Sequence, residues 1–162
     1  MPHIHELYDF TASAYILNKA KDSICLHKHK KLGSWFQPGG HIELHENPIE
    51  SLQHELAEEL GWTQADYEIV EVSDQPQPPR ELVLPLPVHF NVHNFGDTNH
   101  KHIDLCFLVQ AKREDFAPQE GESQEIEWFN SSKLQEFAQD NKIHASTLET
   151  CMWIIAKYGS PR

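Results

Sequence analysis

Gly40-His41-Ile42-Glu43-Leu44-His45-Glu46-Asn47-Pro48-Ile49-Glu50-Ser51-Leu52-Gln53-His54-Glu55-Leu56-Ala57-Glu58-Glu59-Leu60-Gly61-Trp62 is the stretch that decides the fold of this chain. A glycine-rich turn runs into a helical pattern. At about 100° per residue, Ile49, Leu52, Leu56 and Leu60 fall on one narrow face, the expected core side. Asn47 suits the N-cap and Pro48 the first helical position. Glu50 then stands at the third helical position, where a capping box closes, and Gly61 suits the C-terminal stop. Glu55 and Glu59 are four apart and lie beside each other along one flank. Glu58 sits further round, with His54 one turn before it. The carboxylates therefore form a stripe at the edge of a buried face. Like charges so close repel, and a hard divalent cation among them turns that repulsion into coordination. Such a cation has a use wherever the substrate is a phosphate ester or anhydride. A solvated acidic face would explain a lone Glu-Glu pair. It does not explain Gly39-Gly40, the cap, Glu46 and the spacing together.

The segment resembles the signature of the Nudix hydrolases, which opens on Gly and Glu and closes on Arg-Glu, an aliphatic residue, a free position, Glu-Glu, a free position, Gly and a hydrophobic residue. Gly40, Glu46, Glu55, Leu56, Glu58, Glu59 and Gly61 match it. His54 stands where the family has arginine, and Trp62 where a smaller aliphatic is usual. Trp35-Phe36-Gln37-Pro38-Gly39-Gly40 resembles the family's lead-in, and Glu125-Ile126-Glu127-Trp128-Phe129 a later part of its fold. The likeness covers about residues 8 to 140. It implies an α/β/α sandwich around a mixed β-sheet. It also implies hydrolysis of a pyrophosphate bond in a nucleoside diphosphate linked to a second group, with Mg2+ or Mn2+ as cofactor.

By that resemblance the Gly40 carbonyl, Glu55, Glu58 and Glu59 hold the metal, Glu59 above all, and Glu46 supports them. The general base is Glu55 or a glutamate of the acidic loop (Glu120, Glu122 or Glu125), of which Glu122 is taken as the site residue. Taken singly, each loop glutamate reads equally as solvated surface. The family's arginine orients a neighbouring glutamate through a planar fork that imidazole lacks. A protonated His54 can do the same, and nearby glutamates raise its pKa. Oxygen ligands select hard cations over zinc. The resemblance leaves the substrate open among oxidised nucleoside triphosphates, ADP-ribose, dinucleoside polyphosphates and capped RNA ends. Homodimers are common in the resembling family. A catalytically weak or inactive nucleotide sensor on the same fold is the alternative, favoured only by His54. Isopentenyl diphosphate isomerase shares the fold, but it needs a catalytic cysteine, and none here has a persuasive context.

The length of 162 residues suits a single domain with one sizeable core. The formal net charge of −12 argues against binding the backbone of double-stranded nucleic acid. It permits a nucleotide, because bound metal inverts the local potential. Cys25, Cys106 and Cys151 lack metal-type spacing and read as reduced thiols of a cytoplasmic protein. No leader pattern opens the sequence, and no apolar run is long enough to span a membrane.

Strands are expected at Asp9–Asn18, Asp22–His29, Tyr67–Val72, Val88–Asn94, His102–Ala111 and Ile126–Phe129. A turn at Lys30–Ser34 and one at Gly96-Asp97 link neighbours. Five prolines make residues 75–87 a stiff loop, the expected specificity element. Helices are expected over Ser131–Asp140, capped by its serine, and Thr147–Tyr158, with Leu148, Cys151, Met152 and Ile155 inward. A strand followed by single helices suggests a sheet between helical layers. His89 and His93 share a strand face, with His100 and His102 close by. A zinc site there is conceivable but not enforced by spacing, and a polar sheet face or part of the substrate pocket is the favoured reading. His41 and His45 could reach a substrate phosphate, although hydrogen-bonded surface histidines are the commoner case. Trp35, Phe36 and Phe95 could stack on a base, although aromatics at strand spacing are more often core.

Overall fold

The computed structural model describes residues 7–94 and 99–160. Among the described residues, four strands, a helix, four more strands and two helices follow one another. They are β1 (Tyr8–Leu17), β2 (Ser23–Lys28), β3 (Trp35–Phe36), β4 (Gly39–His41), α1 (Pro48–Leu60), β5 (Tyr67–Ile69), β6 (His89–Asn94), β7 (Lys101–Ala111), β8 (Ile126–Asn130), α2 (Ser131–Gln139) and α3 (Ala145–Tyr158).

All eight strands join one mixed sheet. Its axis is the parallel pairing of β1 with β7, from Tyr8 opposite Lys101 to Leu17 opposite Gln110. The other pairings are antiparallel. β2 and β4 share the far edge of β1, and β5 and β6 share the far edge of β7. β8 and β3 flank β2.

Alternation along β1 and β2 divides the core. Ala12, Ala14, Ile16 and Cys25 face one side, where Leu52, Leu56 and Leu60 of α1 pack on them. Each of those leucines is fully buried, worth about 1.5–3 kcal/mol apiece. Tyr15, Leu17, Ile24 and Leu26 face the other side, against Leu134 of α2 and Cys151 and Ile154 of α3. The result is the α/β/α sandwich expected from the sequence.

The α1 caps are as read. Asn47 Oδ1 accepts from the Ile49 and Glu50 N–H groups, and Glu50 Oε2 accepts from the Asn47 N–H at 2.8 Å. Gly61 is the C-cap. Trp62 fills an aromatic cluster with Tyr67, Phe116 and Trp128. Its indole N–H donates to the Asp115 carbonyl at 2.9 Å, so the large side chain is satisfied where a small one is usual.

Several expectations need correction. The glycine turn before α1 is strand β4, paired with Thr11–Ser13. The strand expected over Tyr67–Val72 is regular only to Ile69. Beyond it the Val70 N–H still reaches the Leu108 carbonyl, but Val70 and Val72 turn into the second core. Asn130, not Ser131, caps α2, because its amide oxygen reaches the Lys133 N–H at 2.9 Å. Helix α3 starts earlier, at Ala145, and its most buried line is Thr147, Cys151 and Ile154. Leu148, Met152 and Ile155 flank that line. The 75–87 loop is irregular, as expected. The turn at Gly96-Asp97 and Phe95 lie outside the described residues.

Candidate active site

The site grows from the close approach of β4 to α1. Gly39 has φ +147, a conformation that side chains rarely allow. A Cβ there would lie 2.4 Å from the Ala12 carbonyl oxygen, so glycine is required for the pairing with β1. At Gly40 a Cβ would lie 2.1 Å from Glu55 Oε1. The bare backbone of Gly40 is therefore what allows the Glu55 carboxylate to sit against β4.

Glu59 is 8% exposed, an unusual burial for a carboxylate. Its Oε2 accepts from the Gly39 N–H at 2.8 Å. Burial nevertheless prevails over that hydrogen bond and pushes its pKa up to about 9, helped by Glu55, Glu122 and Glu58. Burial, then Glu58, pushes Glu55 up to about 7. Two partly buried acids that resist ionisation are a place where a divalent cation is electrostatically welcome.

His27 Nε2 lies 3.6 Å from Glu59 Oε1. Burial lowers the His27 pKa to about 4. With His27 neutral and Glu59 holding its proton, this contact is not an ion pair, and it is too long for a good hydrogen bond. His27 Nδ1 is buried with no hydrogen-bond partner among the described residues.

His54 is exposed and bridges two carboxylates. Its Nδ1 is 3.2 Å from Glu46 Oε1, and its Nε2 is 3.1 Å from Glu58 Oε1. The hydrogen bond to Glu58, more than anything else, raises its pKa. Imidazole thus uses both nitrogens to hold a supporting glutamate and a signature glutamate together.

Glu122 lines a cleft of about 230 Å³ with Glu59, His27, Ser123 and the run Lys28–Lys31. It acts on the charge of both Glu55 and Glu59. Glu125 is held by Lys28 Nζ at 3.0 Å. Lys30 Nζ donates to the Gly121 carbonyl, tying the acidic loop to the end of β2.

The structure therefore brings Gly40, Glu55, Glu58, Glu59, His54 and Glu122 into one neighbourhood. The donor set is all oxygen, the kind that Mg2+ or Mn2+ takes, and the bare Gly40 backbone leaves space beside Glu55. These residues fit such a cation. Among the described residues the three glutamates do not form a trio of donor atoms within 4.8 Å of one another; His41, His100 and His102 do. The reason is visible in their partners: Glu58 turns out to His54, while Glu59 turns in to the Gly39 N–H.

Two polar features escaped the sequence reading. His27 could have been found from strand alternation, since it shares the Cys25 face of β2, but alternation does not say what lies across. Asp104 is 3% exposed in β7. It accepts from Thr11 Oγ1 at 2.9 Å, Ser13 Oγ at 3.0 Å and Cys106 Sγ at 3.1 Å. No local pattern reveals that partnership, because the parallel β1–β7 pairing creates it. Trp35 is core, edge-on to Phe129 and Phe137. Phe36 stacks on His144.

Comparison with known proteins agrees with this geometry. The family model for the NUDIX domain matches residues 7–151. A NUDIX-family hydrolase from Clostridium perfringens is 26% identical, with a TM-score of 0.74 over 91% of this chain and 96% of that one. The MutT protein from Methanosarcina mazei Go1 is 20% identical, with a TM-score of 0.65 over 98% and 100% of the two chains. The Ap4A hydrolase of C. elegans is 13% identical, with a TM-score of 0.65 over 93% and 98%. No functionally curated protein matches the chain significantly. With the family model spanning most of the sequence and the signature glutamates gathered at the β4–α1 junction, the chain belongs to the Nudix hydrolase family.

Proposed function

We propose that the protein hydrolyses a pyrophosphate bond in a nucleoside diphosphate linked to a second group, using Mg2+ or Mn2+. One observation carries this reading. Glu55 and Glu59 are confined beside Gly39-Gly40, where burial and the surrounding glutamates raise both pKa values. That confinement costs stability unless the site serves a cation. The Gly40 carbonyl, Glu55, Glu58 and Glu59 would hold the metal. When bound, it shields the anionic bridge and eases loss of a proton from the attacking water.

The chain's own residues supply the rest. Glu122, which lines the cleft, or Glu55 when ionised, would accept the proton of the attacking water. His54 positions Glu58 through the 3.1 Å contact. Lys31 and its neighbours line the same cleft as Glu59 and can meet phosphate oxygens. The irregular 75–87 loop is the element proposed to select the second group.

The contacts of His54 with Glu46 and Glu58 favour the hydrolase reading over the sensor. The isomerase reading fails on accessibility. Cys25, Cys106 and Cys151 are all buried, and burial raises the pKa of each, that of Cys151 to about 12. Three buried free thiols support a reducing compartment such as the cytoplasm. Among the described residues no helix is long and apolar enough to cross a membrane.

Similar folds include an Ap4A hydrolase and a UDP-X diphosphatase. A dinucleoside polyphosphate and a UDP-linked compound therefore join ADP-ribose and an oxidised nucleoside triphosphate in the test panel. Phosphorus NMR with Mg2+ and with Mn2+ should show cleavage of at least one compound. Glu59→Gln should lower that rate by about 10²-fold or more. A variant as fast as wild type would remove Glu59 from the chemistry, and no cleavage of any compound would favour the sensor.

A further inference from the structure

Five polar side chains outside the carboxylate site converge at one end of the sheet's central strands. They come from four neighbouring strands and the approach to one of them: Asp9 from β1, His41 from β4, His93 from β6, and His100 and His102 from the start of β7. The register explains the convergence. Asp9 is the partner of His102 across the parallel pair, and His102 is the partner of His93 across the antiparallel one. His41 lies opposite Thr11, two residues along β1 from Asp9, so it projects from the same face.

The rings meet edge to face around His102. Their centroids lie 4.9 Å away for His41 and 5.3 Å away for His93 and for His100. Donor atoms of His41, His100 and His102 all lie within 4.8 Å of one another. Asp9 Oδ2 sits between two of these rings, 3.1 Å from His100 Nε2 and 3.6 Å from His41 Nε2.

We propose that His41, His100 and His102, with Asp9 completing the shell, form a second metal site that binds Zn2+. Zinc takes imidazole nitrogen and carboxylate oxygen at about 2.0–2.2 Å in a tetrahedron, so neighbouring ligand atoms are about 3.4 Å apart. The two Asp9 contacts bracket that spacing. The imidazole donors lie within 4.8 Å of one another, and the exposed His41 ring is free to rotate toward a shared ion. Imidazole is a ligand for borderline cations, whereas Mg2+ and Mn2+ favour the all-oxygen set on α1. The two sites are thus separated by ligand chemistry. They are also separated by the sheet: a side chain at Gly40 would point at Glu55, so the adjacent His41 projects from the opposite face. His93, in contact with His102 and 2.8 Å from Asn91 Oδ1, buttresses the cluster.

Zinc here ties β4 to β1 and β7, next to the strand residue that confines Glu55. The site does not depend on the proposed hydrolase activity. It is tested by zinc titration calorimetry on the full chain, without a polyhistidine tag, after chelator treatment and in excess Mg2+. Wild type should bind one zinc per chain. His41→Gln and His100→Gln should each weaken that binding about tenfold or more. Circular dichroism of the metal-free variants establishes that they are folded. Glu59→Gln should leave zinc binding as in wild type. The proposal is overturned if wild type binds no zinc, if both folded histidine variants bind as wild type does, or if Glu59→Gln abolishes binding. The last result would place zinc in the carboxylate site instead.

Discussion

A carboxylate's environment can make it a liability until a partner arrives, and Glu55 shows how that becomes measurable. Its pKa rises from an ordinary 4.5 to about 7 in the folded chain, and that of Glu59 to about 9. Between the ordinary and the raised values the folded chain binds more protons than the unfolded one. Without metal, stability from these groups is therefore present at low pH and declines as pH rises through those windows. Glu55→Gln removes one such penalty. The variant should be more stable than wild type by about 1–2 kcal/mol near pH 8, a figure reduced for the partial exposure of the group. The difference should vanish at about pH 3.5, a unit below the ordinary value, where the carboxylate is mostly protonated in either state. Urea melts of chelator-treated protein at the two pH values check this, and equal stability at both would show that Glu55 is not confined. The sequence reading placed Glu55, Glu58 and Glu59 on one flank because helical period fixes angles. It could not give their inequality, because depth of burial depends on β4, which lies against α1 only in the folded chain.

At the scale of elements, helix α1 was legible almost to its ends. Asn47, Pro48, Glu50 and Gly61 are local signals, and local hydrogen bonds enforce them. Removing the cap with Asn47→Ala should cost about 1 kcal/mol, read as a lower urea midpoint with an unchanged slope. Asn47→Asp should retain most of the stability, since its side chain still accepts from the same N–H groups. Elements made by long-range pairing were less legible. β4 has only glycines and a histidine to announce it, and its strand character comes from Thr11–Ser13. The strand beginning at Tyr67 loses its ladder with β7 after Ile69, although Val70 and Val72 keep the alternation and pack on the second core. Asn130 took the cap expected of Ser131, a one-residue shift that pattern reading does not resolve.

For the whole molecule, the sheet order is what assembles the chemistry. The parallel β1–β7 pairing brings Asp9 beside His102, and Thr11 and Ser13 beside Asp104. β2 delivers His27 and the lysine run to the cleft that α1 and the acidic loop share. Such neighbours come together across strands, so local pattern marks the glutamates and the grouping of His93, His100 and His102, but not His27, Asp104 or the arrival of Asp9 and His41 beside those histidines. Hydrolysis as proposed requires the acidic edge of α1 to capture a divalent cation. Titration of Mn2+ followed by electron paramagnetic resonance, with a non-hydrolysable nucleoside diphosphate derivative present, tests it most directly. Wild type should remove Mn2+ from solution, and Glu59→Gln should do so with affinity about tenfold or more weaker. Equal Mn2+ affinity in the two proteins, or none in wild type, would contradict the account.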